Sequence, residues 1–155
     1  MQKAIFAAGC FWGIEAAFRR IQGVVKTEVG YSGGKLENPT YEDVCTGQTG
    51  HAEVVAIEYD ESQVTYEELL EVFWNIHDPT TLNRQGPDIG TQYRSAIFYL
   101  DANQQSLAQT LKENQQQTGK FANEIVTEIT PALQFHMAED YHQQYLEKRG
   151  LTQCP

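Results

Sequence analysis

Short apolar runs, separated by glycines, prolines and polar turns, cut this chain into strands and helices of ordinary length. Ala4-Ile5-Phe6-Ala7-Ala8 makes residues 3–8 read as a first strand. Phe11, Ile14, Phe18 and Ile21 then recur at helical spacing, so 11–21 reads as a helix with one apolar face. Arg19 and Arg20 stand where the helix dipole favours cations, and Gly23 can end the helix. Val24 to Tyr31 reads as a strand, broken by Ser32-Gly33-Gly34. Residues 35–50, with Pro39, Gly47 and Gly50, are expected to form a long loop, and loops of that length are often functional.

The second half follows the same grammar. His51 to Tyr59 alternates as a strand that puts Glu53 on one face with Val55, Ile57 and Tyr59. Thr65-x-x-Glu68 is a capping box, opening a helix whose stripe is Leu69, Leu70, Phe73, Trp74 and His77. Asp78-Pro79 ends it, and 79–94 forms a second long loop. Ser95 to Leu100 reads as a strand, and Asp101 with Gln104 can cap a third helix carrying Leu107 and Leu111. Ile125 to Thr130 reads as a strand stopped by Pro131. Phe135, Ala138, Tyr141, His142 and Tyr145 predict a last helix over 135–148, stopped by Gly150. The tail, residues 151–155, carries no pattern and is expected to be mobile.

The first six elements run strand, helix, strand, strand, helix, strand, the order of the split βαβ arrangement. The expected fold is α+β: a two-layer sandwich with a mixed sheet, built on a ferredoxin-like βαββαβ core plus an extra α-β-α. A length of 155 residues with 41% apolar content suits a single domain over 1–155.

Charge narrows the partners. Eleven basic against 21 acidic side chains give a net charge of −10, with no cluster of Lys and Arg. A phosphate backbone or an anionic membrane needs such a cluster, so neither is expected as a partner. No run is long enough to span a bilayer. Lys3, the apolar run after it and Gly9-Cys10 mimic a short secretory or lipoprotein signal. The run is shorter than a usual signal core and Glu15 follows closely, so it reads as a buried strand of a cytoplasmic protein.

Three cysteines, Cys10, Cys45 and Cys154, make neither a disulfide framework nor a Cys-x-x-Cys pair. The histidines at 51, 77, 136 and 142 make no zinc spacing with them, so no metal or other cofactor is expected. Cys10 is distinctive in context: it falls between strand and helix, flanked by Gly9 and by Phe11-Trp12-Gly13. A helix start offers unpaired N–H groups and the positive dipole end, which favour the reactive thiolate. The competing reading is a small buried side chain packed beside core aromatics. Glu53 likewise has three readings: partnered, solvated at a strand end, or held protonated by burial. An accessible thiolate can take oxygen from an oxidised substrate and become a sulfenic acid, and a second cysteine such as Cys154 can condense with it to a disulfide.

Five separated motifs carry a family resemblance: Gly9-Cys10-Phe11-Trp12-Gly13, Tyr41-Glu42-Asp43-Val44-Cys45, Gly50-His51-Ala52-Glu53-Val54, the run from Gly86 to Ser95, and the run from Ala138 to Leu146. In that order, across nearly the whole chain, they resemble peptide methionine sulfoxide reductase of the A type. The resemblance implies reduction of methionine-S-sulfoxide, free or in oxidised proteins, by a monomer that thioredoxin recycles. It makes Cys10 the nucleophile, Glu53 the acid that serves the sulfoxide oxygen, and Tyr41 and Tyr93 further donors to that oxygen. Phe11 and Trp12 become the pocket for the S-methyl group, and Asp88 helps fix the substrate. Cys154 becomes the resolving cysteine, and Cys45 receives no redox duty. A thiol peroxidase and a non-catalytic peptide-binding module are the rival readings of the same residues.

Overall fold

A computed structural model describes residues 1–151. Its elements, in chain order, are β1 (Gln2–Ala8), α1 (Phe11–Arg19), β2 (Val24–Ser32), α2 (Tyr41–Cys45), β3 (Ala52–Tyr59) and α3 (Tyr66–Asn75). A small hairpin follows, β4 (Arg84–Gln85) and β5 (Asp88–Ile89), then a 3-10 turn over Thr91–Tyr93. β6 (Ser95–Tyr99), α4 (Ala102–Gln117), β7 (Glu128–Pro131) and β8 (His136–Met137) come next. A 3-10 turn over Asp140–His142 and the short α5 (Tyr145–Lys148) close the described chain.

The main sheet runs β7-β6-β1-β3-β2-β8. Its middle four strands are antiparallel neighbours in the order of the split βαβ core, and β7 joins parallel to β6, which makes the sheet mixed. Alternation along β1 divides the core. Ala4, Phe6 and Ala8 face the helices, where Phe6 stacks on Phe18 of α1 and meets Phe73 of α3, both at 5.3 Å between ring centroids. Ile5 and Ala7 face the other way, with Ala52, Val54, Ala96 and Phe98, and there Ala132 and Phe135 supply the cover.

The polar signals act where the sequence places them. Thr65 and Glu68 form the capping box of α3, and the Asp101 carboxylate accepts from the Gln104 N–H to start α4. A second capping box, Thr40 with Asp43, turns part of the expected 35–50 loop into α2. Pro131 does not stop the preceding strand short but forms its last residue, paired with Tyr99.

The helix expected over 135–148 is not formed. Residues 135–144 make a strap instead, paired as a strand at His136–Met137 and turning in the 3-10 segment Asp140–His142, and only Tyr145–Lys148 is α-helical. The exposed edge of β2 explains the difference, because its backbone groups need partners. Gly30 and Tyr31 pair with Met137 and His136, and the Ala138 N–H donates to the Val29 carbonyl at 3.0 Å. Gln143 continues the pairing with its side chain, accepting from Val29 N–H and donating to Val29 O, each at 2.9 Å. The strap lies so close to β2 that a Cβ on Gly30 would come within 2.5 Å of both the His136 carbonyl oxygen and the Phe135 ring. The apolar spacing that resembled a helix serves both sheet faces: Phe135 covers one, while Ala138 and His142 belong to the other side.

Candidate active site

Cys10 is the N-cap residue of α1, directly after a turn at Gly9. Gly9 has φ +101°, and a Cβ there would sit 2.8 Å from the Gln85 side chain. Gln85 in turn accepts from the Asp78 N–H and donates to the Asp78 carbonyl, both at 2.8 Å. The β4–β5 hairpin is thereby tied to Asp78, with the Gln85 side chain packed against the turn that carries the cysteine. Cys10 is half-buried, at the end of a helix whose dipole favours an anion.

Glu53, from the central strand β3, lies beneath this helix start and is 1% exposed. The Phe11 N–H, one of the helix's free amides, donates to Glu53 Oε1 at 3.2 Å. Oε2 is buried with no protein partner among the described residues. Burial dominates its titration, lifting the pKa from 4.5 to about 8; the Phe11 N–H opposes the rise and the nearby Asp88 adds to it. At neutral pH the group is therefore mainly a carboxylic acid, and of the three sequence readings the structure selects the protonated one.

The remaining candidates converge on the same place. Asp88 faces Gln85 across the hairpin. Tyr93 ends the 3-10 turn after it; burial first, and then the charge of Glu53, push its phenol up to about 12. Tyr41 begins α2, and its hydroxyl shares a hydrogen bond with the Cys45 side chain. Burial keeps Tyr41 protonated and raises the Cys45 thiol as well. Phe11 is buried, whereas Trp12 is half-buried. Cys154 lies outside the described residues. Among the described residues no group of three metal-ligating side chains forms.

The sequence marked Ala138 to Leu146 as a family motif but gave its residues no role in the site, yet the strap builds the back of the site. The Glu139 carboxylate accepts from the Tyr31 hydroxyl at 2.8 Å and from the Tyr41 N–H at 3.0 Å, fixing the start of α2. His142 is fully buried against Phe11, Tyr41 and Tyr141, and its Nδ1 accepts from the Trp12 indole N–H at 2.9 Å. Tyr145 stacks on Trp12 with a centroid separation of 3.7 Å and an interplanar angle of 4°. Polar residues recurring within an apolar periodicity were the available signal, and a helical reading hid it.

A cysteine at a helix start, a carboxylic acid that keeps its proton at neutral pH, two phenols and an aromatic wall on an α+β frame define a thiol oxidoreductase. Residues 2–155 match the family model described as peptide methionine sulfoxide reductase, and the chain belongs to that family. The peptide methionine sulfoxide reductase MsrA of Methanosarcina acetivorans is 61% identical over 153 residues, covering 99% of this chain and 81% of the relative. The crystal structure of Mxr1 from Saccharomyces cerevisiae in reduced form superposes with a TM-score of 0.90 at 39% identity, covering 96% of this chain and 86% of that one. Mxr1 in complex with Trx2 matches with a TM-score of 0.65 at 29% identity, covering 93% and 84%. No helix among the described residues is long and apolar enough to cross a membrane.

Proposed function

We propose that residues 1–155 act as one catalytic domain that reduces methionine-S-sulfoxide, free or in oxidised proteins, with Cys10 as nucleophile. The Cys10 thiolate attacks the sulfoxide sulfur while Glu53 delivers its proton to the oxygen. The adduct so formed, with Cys10 Sγ bonded to the substrate sulfur and the oxygen now a hydroxyl, collapses as that hydroxyl passes to Sγ. The S–O bond and the new Sγ–S bond both break, Cys10 is left as a sulfenic acid, Glu53 as a carboxylate, and methionine leaves with two more electrons than the sulfoxide held. Tyr41 and Tyr93 donate to the oxygen as its negative charge builds. Phe11 and Trp12 take the S-methyl group, and Asp88 orients the substrate from the hairpin. With the methyl pocket on one side and the oxygen donors on the other, only one sulfoxide epimer leads the rest of its chain out of the site while its sulfur stays open to Cys10.

Cys154 then attacks the sulfenic sulfur, water leaves, and a Cys10–Cys154 disulfide remains. A thioredoxin dithiol reduces that disulfide, a reading supported by the solved pairing of the similar Mxr1 with Trx2. The protein is proposed to carry out this cycle as a monomer. Cytoplasm, where thioredoxin keeps thiols reduced, suits the cycle.

The observation that carries this reading is the buried Glu53 acid beneath the Cys10 helix start. Its test is to mix reduced protein with methionine-S-sulfoxide, without reductant, and count products and thiols. Methionine with the loss of two thiols, mapped to Cys10 and Cys154, is expected. Methionine with one thiol lost discards Cys154 as resolver, and no methionine discards the reductase reading.

A further inference from the structure

Tyr93 stands on a weak support. It closes a 3-10 turn of only three residues, Thr91–Tyr93. After burial, the charges of Glu53, Cys45, Asp88 and Cys10 all act on its phenol, so the ring lies among the reacting groups. A single 3-10 turn holds itself poorly, because its hydrogen bonds are few and badly aligned. Two backbone bonds close this one: Tyr93 N–H donates to the Gly90 carbonyl at 3.0 Å and Arg94 N–H to the Thr91 carbonyl at 3.2 Å. Gly90, at φ +145°, is the flexible joint before it. The middle residue does not anchor it either, since the buried Gln92 Oε1 has no protein partner among the described residues.

Arg94 ties this turn to the main sheet. Its Nη1 donates to the Thr91 carbonyl at 3.0 Å, and its Nε donates to Glu128 Oε2 on β7 at 3.0 Å. The Arg94 side chain is only 14% exposed. Gly33 leaves just enough room for it: a Cβ there would sit 2.9 Å from both Nη2 and the Phe98 ring. A guanidinium is a rigid plane, so holding Nε on β7 also fixes where Nη1 points. The Glu128 side chain is 41% exposed, and an ion pair with so open a partner adds little to stability. What the pair supplies is direction.

We infer that Arg94 is a positioning residue for the reaction: with Glu128 it clamps the Thr91 carbonyl to the sheet, and so holds the Tyr93 hydroxyl where the sulfoxide oxygen must lie. The inference rests on the proposed role of Tyr93 as a donor to that oxygen. Losing one such donor costs about 10²–10³ in rate, and misplacing it by about 1 Å costs a comparable factor, so the hold on the turn is felt in the chemical step.

The test measures single-turnover rates with methionine sulfoxide in the full chain. Arg94→Lys keeps the charge but offers one nitrogen in place of two, so Thr91 and Glu128 cannot both keep their geometry. Its rate is expected to fall about tenfold, with little change in the half-saturating substrate concentration. Glu128→Ala, which frees the far end of the clamp, is expected to lower the rate in the same way, and Glu128→Gln, which returns an acceptor, to recover most of it. In a Tyr93→Phe background Arg94→Lys is expected to cost nothing further, whereas a merely structural role slows both backgrounds alike. A parent-like rate in Arg94→Lys, or an equal fall in both backgrounds, overturns the inference. A parent-like rate in Tyr93→Phe itself ends the donor role and the inference with it; a slow Tyr93→Phe beside a parent-like Arg94→Lys ends the inference alone.

A second readout does not depend on activity. With 3-fluorotyrosine incorporated throughout, and Tyr93→Phe assigning the signal, the Tyr93 fluorine resonance is expected to shift or broaden in Arg94→Lys and in Glu128→Ala while the other tyrosine signals stay in place. A Tyr93 resonance that moves in neither variant overturns the clamp.

Discussion

The amide of Phe11 holds Glu53 by one oxygen, at 3.2 Å, and leaves the other without a protein partner. The residue next to Cys10 therefore positions the Glu53 carboxyl, so thiol and carboxyl cannot drift apart independently. A helix N-terminus lowers a carboxyl pKa through charge and hydrogen bonding, an effect worth up to about 2 kcal/mol. Full burial outweighs it here, and the group ends near 8.

Glu53→Gln keeps the shape and the Phe11 hydrogen bond but has no proton to deliver. The single-turnover rate with methionine sulfoxide should fall about 10²–10⁴-fold, the usual worth of a general acid, while substrate binding changes little. In the parent enzyme the rate should decline as pH rises through about 8, where Glu53 loses its proton. Rapid-quench rates across pH check both, and equal rates in variant and parent would end the acid assignment.

The same shift makes Glu53 a pH-dependent burden on the fold. Its folded pKa lies above the ordinary value of 4.5, so between about 4.5 and 8 the folded chain binds a proton that the unfolded chain does not. Stability contributed by this group is complete below 4.5 and is lost as pH rises towards 8. The loss is of the order of a few kcal/mol, and Glu53→Gln should remove it. Urea midpoints at pH 5 and pH 8 should therefore lie closer together in Glu53→Gln than in the parent.

Cys10→Ser should abolish methionine formation, because a hydroxyl is a far weaker nucleophile and forms no sulfenic acid. Cys154→Ser should still yield one methionine per chain yet fail to cycle with thioredoxin. Stoichiometry without reductant, followed by steady-state turnover with thioredoxin, separates the two. Full cycling in Cys154→Ser would transfer the resolving role elsewhere.

What the sequence made legible follows the range of the forces involved. Local signals were sufficient for β1, α1, α3 and α4, because periodicity and the Thr65 and Asp101 caps are short-range. Glu53 could be assigned to a mixed face of a strand, but its protonation depends on α1 lying above it, which no local pattern specifies. The strap was misread because Phe135, Ala138 and Tyr145 have helical spacing, whereas the open edge of β2, more than 100 residues earlier in the chain, decides their conformation. Glu139 and His142 acquire their roles only through that long-range pairing.

Gly30 offers a direct test of the strap. Its added Cβ in Gly30→Ala would meet a backbone carbonyl, that of His136, and a packed ring, that of Phe135. Neither can turn aside as a flexible side-chain end could, so the strap must lift from β2 or β2 must bend. Overpacking of this kind costs about 1–3 kcal/mol. Lifting the strap also loosens the Gln143 clamp and moves His142 and Tyr145 away from Trp12. Gly30→Ala should remain folded by far-ultraviolet circular dichroism, with a lower urea midpoint, and its kcat/KM should fall at least about tenfold, since small misplacements of positioning groups cost rate steeply. Parent-like kcat/KM alongside the lower midpoint would show that the strap supports the sheet without shaping the site.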